Sequence, residues 1–126
     1  MKIAVMTPDD VQSVIPLYIN YYNTHEGSCW TEETAQCRIT QVITINGSYS
    51  LIMRDDEDNV IGFVMGYFKQ YDDIVGYTLE EIIIAYEHQH KGLGTLFLKE
   101  LENRVREKGA SCVELQAVKD DLHEQY

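Results

Sequence analysis

The chain has 126 residues, 44% of them hydrophobic and 25% charged, which fits one globular domain over residues 1–126 and leaves no room for a second. Acidic residues outnumber basic ones 21 to 10, and the net charge of −11 opposes nucleic acid and anionic membranes while favouring a cationic small molecule or basic peptide. No apolar run approaches the roughly 20 residues of a membrane span, and the scattered Cys29, Cys37 and Cys112, without C-x-x-C spacing, read as reduced thiols of a cytoplasmic protein.

Lys2 to Met6 is a short apolar run suited to a first strand, and Thr7-Pro8-Asp9-Asp10 after it is a helix start. Thr7 caps, Pro8 occupies the first helical position where its missing N–H costs nothing, and the aspartates sit at the positive end of the dipole. Val11, Val14, Ile15, Tyr18, Tyr21 and Tyr22 follow at helical spacing, with Pro16 expected to kink or break the helix. A polar connection, Asn23 to Ser28, leads to Thr31-Glu32-Glu33, a second cap with acidic first-turn residues, and to a helix with Ala35, Ile39, Val42 and Ile43 on one face.

Two apolar runs, Tyr49 to Met53 and Val60 to Lys69, flank Arg54 to Asn59 as a hairpin with a charged tip. Ile82-Ile83-Ile84-Ala85 is apolar on both faces and reads as the central strand, covered on both sides and opened by Glu80 and Glu81. A strongly amphipathic helix follows, with Leu93, Phe97, Leu101 and Val105 at steps of four, Leu96 and Leu98 widening the stripe, and Lys108-Gly109 ending it. Cys112 to Val118 is a further strand, its Cys112 read as a buried structural thiol. Leu122 to Tyr126 begins another helix.

The segment with chemistry is Gln89-His90-Lys91-Gly92-Leu93-Gly94-Thr95, set between a buried strand and a helix. Two glycines let the backbone turn sharply and approach a ligand, and the helix N-terminus behind them adds about half a positive charge. Lys91 supplies a cation and Thr95 a hydroxyl, so a diphosphate is a plausible occupant. The Walker spacing is absent, and the dinucleotide fingerprint lacks its third glycine because Phe97 stands there. A tight strand-to-helix turn without a ligand is the competing reading.

Gln89-x-x-Gly92-x-Gly94 in this setting resembles the Q/R-x-x-G-x-G/A signature of the GNAT superfamily, the acyl-CoA-dependent N-acyltransferases, and the order of elements is similar over nearly the whole chain. The resemblance implies an α/β fold with a mixed, mostly antiparallel sheet flanked by helices, and transfer of an acetyl group from acetyl-CoA to a primary amine. It places Gln89, His90, Lys91, Gly92, Leu93, Gly94 and Thr95 at the CoA pyrophosphate, and Ile84 and Tyr86 along the pantetheine arm. It further implies that a tyrosine after the last strand protonates the leaving thiolate, a role that falls to Tyr126. The family usually continues with two more strands. The expectation here is therefore a C-terminally short version of the fold that forms a homodimer, or a catalytically incomplete CoA-binding or interaction module that a partner chain completes.

Acyl transfer also needs a base for the ammonium proton. Glu80 and Glu81 are the candidates, and because adjacent strand residues point to opposite faces only one is expected to face the cleft, with Glu81 preferred. His88 and His90 read as binding or surface residues. His25, Glu26 and Trp30, between the first two helices, are candidates for the acceptor pocket, and the competing reading is an exposed loop with Trp30 tucked into the core. No His, Cys or Glu spacing suits a metal site.

Overall fold

The computed structural model describes residues 1–115. Strand β1 (Lys2–Val5) is followed by a 3-10 turn, Pro8–Asp10, in which the Asp10 carboxylate accepts a hydrogen bond from the Thr7 N–H at 2.8 Å. Helix α1 (Val11–Ile19) runs through Pro16 and then widens into a π-helical turn over Asn20–Thr24, so the proline does not break it. Helix α2 (Glu32–Ile43) begins where expected, the Thr31 hydroxyl accepting from the Thr34 N–H at 3.1 Å.

Strands β2 (Leu51–Arg54), β3 (Val60–Gln70) and β4 (Val75–Ile84) form an antiparallel meander, helix α3 spans Leu93–Glu107, and β5 (Ala110–Leu115) lies parallel to β4. The sheet order is β1-β2-β3-β4-β5, mixed and open. Side chains alternate across it as the pleat requires. Leu51, Met53 and Val64 face α3 with Phe97, Leu101 and Val105, while Ile52, Phe63 and Met65 face α1 and α2 with Val14, Tyr18, Ala35 and Ile39.

Strand β4 departs from that alternation. Tyr77 and Leu79 face α3, and so do Ile82 and Ile84. Met65 pairs with Glu81 and Gly66 with Leu79, which leaves Glu80 as the extra residue of a β-bulge. Glu80 and Glu81 therefore lie inside a ten-residue strand and do not open it. Gly66 sits opposite the bulge, where a Cβ would meet the Thr78 carbonyl oxygen at 2.2 Å.

Three smaller expectations are corrected. β4 is interior but β3 is the middle strand. Leu96 is exposed and does not join the stripe. Cys112 is exposed as well, because β5 borders the described sheet and Cys112 lies against Gly76, which has no side chain to cover it. Among the described residues no helix is long and apolar enough to cross a membrane.

Candidate active site

Glu81 is the most enclosed carboxylate described, 7% exposed. The bulge turns it toward α1 and α2, where the Tyr22 hydroxyl donates to its Oε1 and the Tyr18 hydroxyl reaches its Oε2 at 3.4 Å. Arg38 of α2 brings its Nε within 3.5 Å of the same Oε2 and a terminal nitrogen within 4.0 Å of Glu80. Both glutamates thus address one guanidinium. The rule that only one of two neighbours can face the cleft fails here, because a bulge sets two residues against one and breaks the alternation.

Burial dominates the titration of Glu81 and raises it above the ordinary glutamate value, while Tyr22, Arg38 and Tyr18 pull it back down. The same burial, with the Glu81 charge, pushes both tyrosines far up, so their hydroxyls stay protonated and act as donors. Tyr18 and Tyr22 are one helical turn apart with ring centroids at 4.8 Å, and Trp30 stands edge-on to Tyr18 at 5.1 Å. Asn23 fixes Trp30 through two backbone contacts, each 2.8 Å. Trp30 is half-buried and packs against the core on the α1–α2 side, as one reading had it, with its ring beside Tyr18 and Tyr22.

The glycine loop occupies the other end of the site. Pairing of β4 with β5 runs from Val75 to Leu79, and from Glu80 onward β4 has no partner on that side among the described residues. After Ile84 and a 3-10 turn, Tyr86–His88, the backbone is left-handed at His90 (φ 65°) and Gly92 (φ 80°). A residue with a side chain is strained there, and glycine is not. Gly92 caps α3, and a Cβ on it would meet nothing within 4 Å. The 15-residue helix that follows has no side-chain cap hydrogen bond at its N-terminus, so its first amides take no partner from a capping side chain. His90, Lys91 and Thr95 are exposed around them and Gly94 is buried beneath. This backbone suits an anion such as a diphosphate.

Gln89 is committed elsewhere, its amide donating to the Ile84 carbonyl at 3.0 Å, so it braces the loop against β4. The Ile84 side chain is buried against α3 and its carbonyl is held by Gln89, and Tyr86 is 61% exposed. The His25 ring stacks on Tyr86 with centroids 4.3 Å apart and planes at 12°. This joins the α1–α2 connection to the loop that follows β4. Glu26 is exposed in that connection. Tyr126 lies outside the described residues. No group of His, Cys, Asp or Glu that could hold a metal ion occurs among the described residues.

Sequence reasoning missed Arg38, Tyr18 and Tyr22 as site residues. Arg38 borders the Ala35–Ile39–Val42 stripe, the one available signal that its side chain would reach the sheet. Two grooves of about 450 Å³ each border this cluster, one lined by Gln12, Pro16, Asn23 and Glu32 and the other by Ser28, Cys29, Trp30 and Thr34.

The model of the acetyltransferase (GNAT) family matches residues 12–125. No functionally curated protein matches the chain. Among solved structures, a ribosomal-protein-alanine N-acetyltransferase from Brucella melitensis superposes with a TM-score of 0.77 at 20% identity, covering 100% of this chain and 88% of that one. An aminoglycoside antibiotic 6'-N-acetyltransferase from Acinetobacter haemolyticus gives 0.72 at 15% identity, covering 98% and 84%. A GNAT family acetyltransferase from Staphylococcus aureus gives 0.75 at 14% identity, covering 94% and 87%. At these identities the structures speak for the fold, and the family match over most of the length decides the rest: the chain belongs to the GNAT acetyltransferase family.

Proposed function

We propose that this chain transfers an acetyl group from acetyl-CoA to a primary amine by direct attack of the amine nitrogen on the thioester carbon. The observation that carries the reading is Glu81, a carboxylate buried at the bulge where β4 loses its partner, on the strand that leads into the glycine loop. In this scheme Glu81 takes the proton from the acceptor ammonium. The freed nitrogen adds to the thioester carbon, the adduct gives up its second N–H proton to solvent, and its collapse forms the amide and breaks the C–S bond to release the thiolate, which takes its proton from an acid, the role in which Tyr126 is proposed. The amides from Gly92 to Thr95 and the Lys91 side chain hold the donor's diphosphate.

Support for nitrogen as the acceptor atom comes from the two neighbours named as N-acetyltransferases. The net charge of −11 favours a cationic amine, and His25, Glu26 and Trp30 line its approach in this reading. The test is turnover of acetyl-CoA with a panel of amines. Glu81→Gln should lower turnover by roughly two orders of magnitude with CoA affinity little changed. A large loss in Glu80→Gln with none in Glu81→Gln would move the base to Glu80. CoA binding without turnover on any amine would make the chain a binding module, and light scattering tests the expected homodimer.

A further inference from the structure

We propose that Arg38 is a positioning residue for the reaction: its guanidinium, carried by α2 across Glu80 and Glu81, keeps the Glu81 carboxylate charged. The inference rests on Glu81 being the base. An isolated carboxylate at 7% exposure would take up a proton to escape the cost of burial, and a protonated Glu81 accepts nothing from an ammonium. The groups that face it are Tyr18 from α1, Tyr22 from the π-helical turn, Arg38 from α2 and Glu80 from its own strand, with uncharged Met65 opposite on β3. The tyrosines donate hydrogen bonds but carry no charge, and Glu80 adds repulsion. Arg38 is the one cation in that set.

Its geometry also separates this role from simple docking of α2. That helix is already anchored by Ala35, Ile39 and Val42, at 0%, 0% and 4% exposure. Arg38 approaches Glu81 at 3.5 Å and Glu80 at 4.0 Å, distances that transmit charge without the close fork of a structural clamp. Burial raises the protonation of Glu81, and Arg38 lowers it again.

The experiment compares wild type with Arg38→Met, Arg38→Gln and Arg38→Lys, the glutamine variant covering the case in which the methionine variant fails to fold. One readout is the titration of the Glu81 carboxyl carbon by NMR on the protein alone. The other is the pH profile of kcat/KM. We expect Arg38→Met to move the Glu81 titration to higher pH. On the acid side kcat/KM should fall roughly tenfold, with less than about twofold lost on the alkaline plateau, and Arg38→Lys should restore most of it. An unmoved Glu81 titration in Arg38→Met and Arg38→Gln overturns the inference, as does an activity loss that is equal at every pH. A titration that moves while the rate profile stays fixed supports the role of Arg38 in setting the Glu81 charge and refutes Glu81 as the base.

Discussion

Gly66 is the residue on which the bulge, and with it the position of Glu81, most directly depends. A Cβ at Gly66 would lie 2.2 Å from the Thr78 carbonyl oxygen and 2.4 Å from the Tyr77 hydroxyl. The first of these is backbone in an interior strand and cannot swing away. Gly66→Ala must therefore push β3 from β4, which we set at about 2–3 kcal/mol of overpacking. Displacing the Tyr77 hydroxyl from its 2.5 Å hydrogen bond to the Tyr49 carbonyl adds about 1 kcal/mol. The sum, about 3–4 kcal/mol, corresponds to a fall of roughly 10–15 °C in Tm for a domain of this size. Gly62→Ala is the milder comparison, because its nearest neighbour is the Ile84 Cδ1 methyl at 2.8 Å, the end of a side chain, and its nearest backbone atom, the Ile83 carbonyl oxygen, is 3.1 Å away. Thermal unfolding followed by circular dichroism reads both. A Gly66→Ala protein that melts within about 2 °C of wild type, or one that loses no more than the Gly62→Ala protein, would refute the reasoning.

Two further outcomes follow from the site. Saturating CoA at about a hundred times its Kd should stabilise wild type by about 2.7 kcal/mol, whereas Gly92→Val, strained at φ 80° and filling the space before the α3 amides, should show no CoA-dependent rise in Tm; a full rise in the variant would remove the loop from donor binding. Because burial raises Glu81 in the folded state, its contribution favours folding at pH below its unfolded value and is lost as pH rises through the folded one. Glu81→Gln should therefore gain in Tm relative to wild type as pH rises above the ordinary glutamate value, read by differential scanning fluorimetry, and a difference that stays constant with pH would contradict that sign.

The parts of the fold that repeat were legible in the sequence. The Thr31 cap, the stripes of α2 and α3 and the glycine turn into α3 are local patterns, and local chemistry enforces them. The bulge was not legible, since ten residues that are nearly all buried carry no polar alternation from which a phase change could be read. That omission carried over to the site, where Glu80 and Glu81 were assigned to opposite faces. Tyr18 and Tyr22 were read as packing because a tyrosine looks apolar until its hydroxyl finds a partner 63 or 59 residues away. Cys112 failed for a related reason: whether a strand residue is covered depends on its neighbour across the sheet, here Gly76.

The stack of His25 on Tyr86 also limits how strongly the two ends of the site can influence each other. It is the one ring contact described between the α1–α2 connection and the segment entering the glycine loop, and an aromatic pair of this kind is worth about 1 kcal/mol. Coupling free energy is reciprocal, so whatever ordering the stack transmits from loop to connection it transmits equally in return. Through this contact, occupancy at one end can change affinity at the other by no more than about fivefold.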